Sequence, residues 1–223
     1  MRQLLALSLA VVTLLAPLSA ATPVRARKAM VVAREIHATD AGVAILQSGG
    51  NAVDAAVAVG LALAVTHPSA GNIGGGGFML VRFADGRTTF IDFRERAPEK
   101  SSRDMYLDKD GKPTRDSLLG WRAAGIPGTV RGFELAHKKY GKAKWADLVA
   151  PSVKLAKLGF PVGYGLSTAL KSAKNLAQFP DSRRIFQRDG NFYEPGELFT
   201  QPELAAVLER IQKVGPKDFY EGE

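Results

Sequence analysis

Apolar and polar positions change rhythm several times along the chain, and each change predicts an element. The first pattern is an apolar run over 4–18 behind Met1-Arg2, containing Pro17 and followed by Ser19-Ala20-Ala21. A charged start, an apolar stretch short of the roughly 20 residues a membrane span needs, and small residues at the end describe a secretory signal. Cleavage is expected after Ala21, which divides the chain into a signal over 1–21 and a mature part over 22–223. No second apolar stretch reaches spanning length, because 53–65 is interrupted by Asp54 and Gly60. The mature protein is therefore expected off the membrane and outside the cytoplasm, in the periplasm or secreted.

Within the mature part, the apolar, β-prone residues 29–33 predict a first strand. Thr39 or Asp40 can cap a helix that runs to Gln47 and stops at Gly49-Gly50. Asn51 can cap a second helix over 52–65, with Asp54 near the positive end of its dipole. That helix is almost wholly Ala, Val and Leu and has no polar face, so it needs covering on both sides. Pro68 ends it. Two β-rich runs, 78–83 and 88–93, flank Asp85-Gly86 and predict a hairpin. Residues 101–119 are polar and turn-rich. Pro127 suits the first turn of a helix reaching Tyr140, and further helices are expected over 145–158, 163–177 and 202–214. Strand, two helices, hairpin and then mostly helix is an α+β order with a sheet antiparallel in part.

Composition narrows the function classes. Of 223 residues, 46% are hydrophobic and 23% charged, as in ordinary globular proteins. The net charge of +8 is spread along the chain, with short clusters at Arg25-Ala26-Arg27-Lys28 and Lys138-Lys139. No aromatic residues interleave with a basic run, so a nucleic-acid groove is not expected. With no cysteine there is no disulfide, thiolate nucleophile or Cys-based metal site. His37, His67 and His137 stand far apart, outside metal-ligand spacing, and neither a metal nor a cofactor is expected.

Three motifs carry candidate chemistry. The run Gly74-Gly75-Gly76-Gly77 fits neither phosphate-loop template and precedes a strand rather than a helix. It reads instead as close backbone approach, or as a main-chain wall beside a small polar ligand. In Asp92-Phe93-Arg94-Glu95, alternation puts Ile91 and Phe93 on one face and Asp92 and Arg94 on the other. The residues alone leave Arg94 open between a structural ion pair and a fork for a substrate carboxylate. Thr88-Thr89 lies inside a predicted strand, with no sign of the free amino terminus a threonine nucleophile requires.

The strings Ser48-Gly49-Gly50-Asn51-Ala52-Val53-Asp54, Thr66-His67-Pro68, Gly71-Asn72-Ile73 with the four glycines and Phe78-Met79, and Ile91-Asp92-Phe93-Arg94-Glu95 with Ala97-Pro98 stand together in one chain. With Gly125-Ile126-Pro127-Gly128 and Gly215-Pro216-Lys217-Asp218-Phe219, they resemble the N-terminal half of bacterial gamma-glutamyltransferases over 29–222. The resemblance implies an N-terminal nucleophile hydrolase with an αββα layered core, made as a precursor that cuts itself into a large and a small subunit. The small subunit's new N-terminal threonine attacks the γ-glutamyl carbonyl of glutathione or a similar compound, and the group passes to water, an amino acid or a peptide. In that family the arginine of the Asp-Phe-Arg-Glu string binds the α-carboxylate of the donor, which matches Arg94. The catalytic threonine, the oxyanion-hole residues and the small subunit find no match in this sequence, so the chain by itself is expected to be inactive. Two alternatives accompany this expectation: part of a related cephalosporin acylase, and a non-catalytic truncated remnant.

Overall fold

The computed structural model describes residues 22–188 and 190–222; the expected signal lies outside the described residues. Residues 22–30 are exposed and carry no helix or strand. From Val31 onward the chain forms a compact unit by itself. It is mixed α+β and mostly helical, and no helix among the described residues is long and apolar enough to cross a membrane.

The predicted strand at 29–33 is absent. β-Preference measures fit to a half-buried surface more than a backbone tendency, and here a helix supplies that surface. Val31 lies beside Gly42, where an added Cβ would come within 2.9 Å of a Val31 methyl. Ala33 packs on Ala38, Ala41 and Ala62. Helix α1, Ile36–Gln47, starts earlier than Thr39 or Asp40 would allow as caps. Its cap is Glu35, whose carboxylate accepts from the Ala38 N–H at 3.2 Å, while the Thr39 hydroxyl donates to the Glu35 carbonyl at 3.0 Å.

Helix α2, Ala52–Thr66, is capped by Asn51, with Asp54 returning a bond to the Asn51 N–H. The rest of the chain covers it well: of its residues only Ala52 and Ala56 are exposed. Val57, Leu61 and Val65 meet Val130 and Phe133 of α3, Thr129–Tyr140, and Leu148 and Val149 of α4, Trp145–Leu158. Gly60 makes room for the Phe133 ring.

Strand β1, Phe78–Arg82, pairs antiparallel with β2, Thr88–Asp92, in the register Phe78↔Asp92 to Arg82↔Thr88. Gly86, at φ +87°, turns the hairpin in a conformation that suits glycine. Met79 and Ile91 face Val53 and Ala136, whereas Phe78, Leu80 and Phe90 lie exposed on the other face.

The C-terminal part closes the core from below α4. Two residues of β3, Phe160–Pro161, pair with β6, Leu198–Phe199. Helix α5, Tyr164–Ser172, stops short of the predicted 177, because Ala173 leaves helical ψ at 64° and a 3₁₀ turn, Lys174–Gln178, follows. The short helix α6, Pro180–Phe186, was not expected; it leads through β4, Gln187–Arg188, and β5, Asn191–Phe192. Helix α7, Pro202–Lys213, buries Leu208 and Ile211 in the same core, and α8, Pro216–Glu221, rests on α7 and α3.

Candidate functional site

Arg94 sits where three stretches of chain are laced together. The strand pair continues one step past β1 and β2, because the Phe93 N–H donates to the Gly77 carbonyl at 3.0 Å and the Gly77 N–H donates back at 3.3 Å. Gly75 then accepts from the N–H groups of Gly128 and Thr129, at 2.7 and 3.0 Å. On the far side Arg96 and Ile126 exchange both backbone bonds, at 3.2 and 2.8 Å. The backbone on either side of Arg94 is thus fixed to residues 75–77 and 125–129.

Close approach is what the glycines provide. A Cβ on Gly76 would lie 2.6 Å from the Glu95 nitrogen and 2.6 Å from the Phe93 carbonyl. A Cβ on Gly128 would collide with the same carbonyl, and one on Gly132 with the Phe93 ring. Phe93 is anchored below, edge-on to Phe133 at 5.6 Å. Gly74 differs from its neighbours, since nothing stands within 4 Å of its added Cβ.

Asn72 ties the glycine run to α3. Its side-chain carbonyl accepts from the Gly75 N–H at 2.8 Å and from the Thr129 hydroxyl at 2.9 Å. Sequence reasoning noted Asn72 only inside a longer string; the bridging partner is 57 residues away. A side-chain amide that can serve two donors beside a glycine turn was the one signal available.

The alternation read at 91–94 is found in the structure: Ile91 is buried and Phe93 half-buried, while Asp92 and Arg94 are exposed. The acids around Arg94 are only loosely engaged with it. Asp92 uses its carboxylate to accept the Arg94 backbone N–H at 2.9 Å. Glu95 approaches the guanidinium no closer than 3.9 Å, and the Arg94 side chain is 72% exposed. A contact of that length between exposed groups contributes little to folding.

The guanidinium borders a cleft of about 480 Å³. Arg94, Glu95 and Arg96 form one wall, and Ser101, Ser102 and Tyr106 belong to the segment that forms another. That segment is braced internally. The Tyr106 hydroxyl donates to the Arg122 carbonyl at 3.0 Å, and the Arg122 guanidinium reaches Asp116 at 2.8 Å and the Met105 carbonyl. Such an arrangement can seat a small anion or carboxylate. Among the described residues no three His, Cys, Asp or Glu side chains gather to hold a metal ion.

Thr88 and Thr89 lie within β2, as the structural reading of them requires. A second cleft, of about 440 Å³, lies by Arg34, His67 and Phe160, away from the Asp92–Arg96 strand end.

This helical α+β frame, with an arginine held at a strand end by glycine-lined backbone, has known counterparts. The gamma-glutamyltranspeptidase family profile matches residues 38–223, and the chain belongs to that family. It is 51% identical over 203 residues to the glutathione hydrolase proenzyme of Escherichia coli, a match that covers 90% of this chain and 35% of that protein. The present chain therefore spans about a third of the length of that relative. Among solved structures, Helicobacter pylori gamma-glutamyltranspeptidase superposes with a TM-score of 0.87 at 41% identity, covering 90% of this chain and 59% of that one. A cephalosporin acylase from Bacillus halodurans superposes at 0.74 with 26% identity, covering 92% of this chain and 40% of that one.

Proposed function

We propose that this chain forms the donor-binding part of a glutathione hydrolase proenzyme and that Arg94 anchors the α-carboxylate of the γ-glutamyl donor. In this reading the complete protein completes an αββα N-terminal nucleophile hydrolase core and cuts itself into two subunits. A threonine carried outside the present sequence then attacks the γ-glutamyl carbonyl, and the acyl group passes to water, an amino acid or a peptide. Export, resting on residues 1–21, belongs to the same proposal.

The observation that carries the reading is the state of Arg94: a guanidinium on a fixed backbone, bordering an open cleft, with no acid among the described residues closer than 3.9 Å. Its planar donors suit bidentate capture of a carboxylate, a geometry lysine cannot copy. The relatives' names favour glutathione over a cephalosporin, because identity is 51% to the glutathione hydrolase and 26% to the acylase.

The test uses enzyme expressed from the complete reading frame. Arg94→Ala and Arg94→Lys should each weaken donor binding by about 2–5 kcal/mol, or about thirty-fold to several-thousand-fold in KM. Self-cleavage and thermal stability should persist, since neither needs an external carboxylate. An Arg94→Ala enzyme that matures and keeps the wild-type donor KM would refute the assignment.

A further inference from the structure

Arg94 is not the only cation on its wall of the cleft. Arg96 lines the same cavity two residues on. In extended backbone such positions share a face, their Cα atoms about 6.6 Å apart. The paired Arg96–Ile126 backbone bonds fix where the second arm starts. Among the described residues the Arg96 side chain makes no hydrogen bond or ion pair. The hydroxyls of Ser101 and Ser102, which also line the cleft, are likewise uncommitted among the described residues. Two guanidiniums therefore face one carboxylate, that of Glu95, which itself stands 3.9 Å from Arg94. With Glu95 counted, the lining carries a net single positive charge, and a carboxylate held by Arg94 leaves Arg96 with no anion bonded to it among the described residues.

We propose that Arg96 makes this a two-carboxylate site. Resting on the donor-binding reading above, Arg94 holds the α-carboxylate of the γ-glutamyl group, and Arg96 takes a second carboxylate carried elsewhere on the donor. Ser101 and Ser102 supply neutral hydrogen bonds to the same end. Arg96 is thus a specificity-determining residue: it selects γ-glutamyl peptides that end in a free carboxylate over γ-glutamyl amides that do not. Glutathione, with two carboxylates, belongs to the first class, and a γ-glutamyl anilide to the second.

The experiment measures kcat/KM for glutathione and for a γ-glutamyl anilide, using enzyme from the complete reading frame, and follows their ratio. Arg96→Gln should lower the ratio about tenfold, the worth of one charge-assisted contact. Arg96→Lys should restore part of it. The same question is put to the wild type from the substrate side by blocking the glycine carboxylate of glutathione as its ethyl ester. The ester should lose about tenfold against wild type and much less against Arg96→Gln, and that comparison holds even where a variant folds poorly. A ratio unmoved by Arg96→Gln, or an ester used as well as the free acid by wild type, would overturn the proposal while leaving Arg94 in place. A wild type that turns over neither donor would instead remove the proposed function, and this inference with it.

Discussion

Helix α2 and the segment 97–125 both adjoin the hairpin, one through Val53 under Ile91 and the other in direct continuation of β2, yet they meet solvent in opposite ways. Around α2 nearly everything is buried, including a carboxylate. Asp54 has no exposed surface, and its oxygens accept from the N–H groups of Asn51 at 2.9 Å, Lys142 at 3.0 Å and Ala143 at 3.1 Å. Asn51 donates from its amide to the Tyr140 carbonyl at 2.6 Å. In 97–125, by contrast, no residue is buried. The segment is joined to the body at its base by the Arg96–Ile126 pair and braced within itself by Arg122. A buried polar group must have all its partners, which fixes the residue types around it. An exposed segment carries no such demand and is free to shape the wall of a cleft.

That contrast breaks most directly at Asp54. Asp54→Ala would leave three backbone donors of the 51 and 142–143 junction unpaired in a buried place, at about 3 kcal/mol or more. Chemical denaturation should show it, with Asp54→Asn in between because its amide oxygen can keep some of the bonds. A loss under about 1 kcal/mol would mean that water replaces the carboxylate and that the clasp does not hold the fold.

Gly128→Ala should come next. Its Cβ would meet the Phe93 carbonyl, so the three-way junction beneath Arg94 must part, at about 1–3 kcal/mol. Gly74→Ala, with open space around its Cβ, should stay within about 0.5 kcal/mol. Equal effects at the two glycines would show that close packing is not what the run is for.

What could be read from sequence follows the same division between local and distant causes. The hairpin and helices α2 and α4 lie within a residue of their expected bounds, because Asp85-Gly86, Asn51, Pro68 and Gly159 act on neighbours in sequence. The cap by Asn51 was legible; the reach of Asp54 to Lys142, 88 residues on, was not. Residues 29–33 misled because Val31 looks the same whether it packs on a sheet or on Gly42 of a helix. Helices α6 and α8, of seven and six residues, are too short to show a helical period. At the site, alternation placed Arg94 on the open face, but it could not say that Asp92 would spend its carboxylate on the Arg94 backbone. Long specific strings marked residues 71–77 and 125–128 as belonging together in one family, and only folding showed that they meet around Arg94.

The smallest effect on global stability is expected within 97–125 itself. The Arg122 guanidinium links Asp116 and the Met105 carbonyl, so Arg122→Ala removes both side-chain ties at once and leaves the Tyr106 hydroxyl on the Arg122 backbone carbonyl. None of those groups is buried, and exposed contacts of this kind contribute little to global folding. The unfolding midpoint should therefore move by no more than about 0.5 kcal/mol in free-energy terms. Local opening is another matter, because regions without buried apolar contacts exchange through their own small fluctuations. Hydrogen exchange in Arg122→Ala should rise across 101–119 while amides of α2 and α4 keep their protection. Tyr106 and Ser102 would then hold the cleft wall less firmly, so donor KM should increase modestly while kcat keeps its value. If Arg122→Ala instead lowers stability as much as Asp54→Ala, the segment is part of the folding unit and the contrast between the two regions fails.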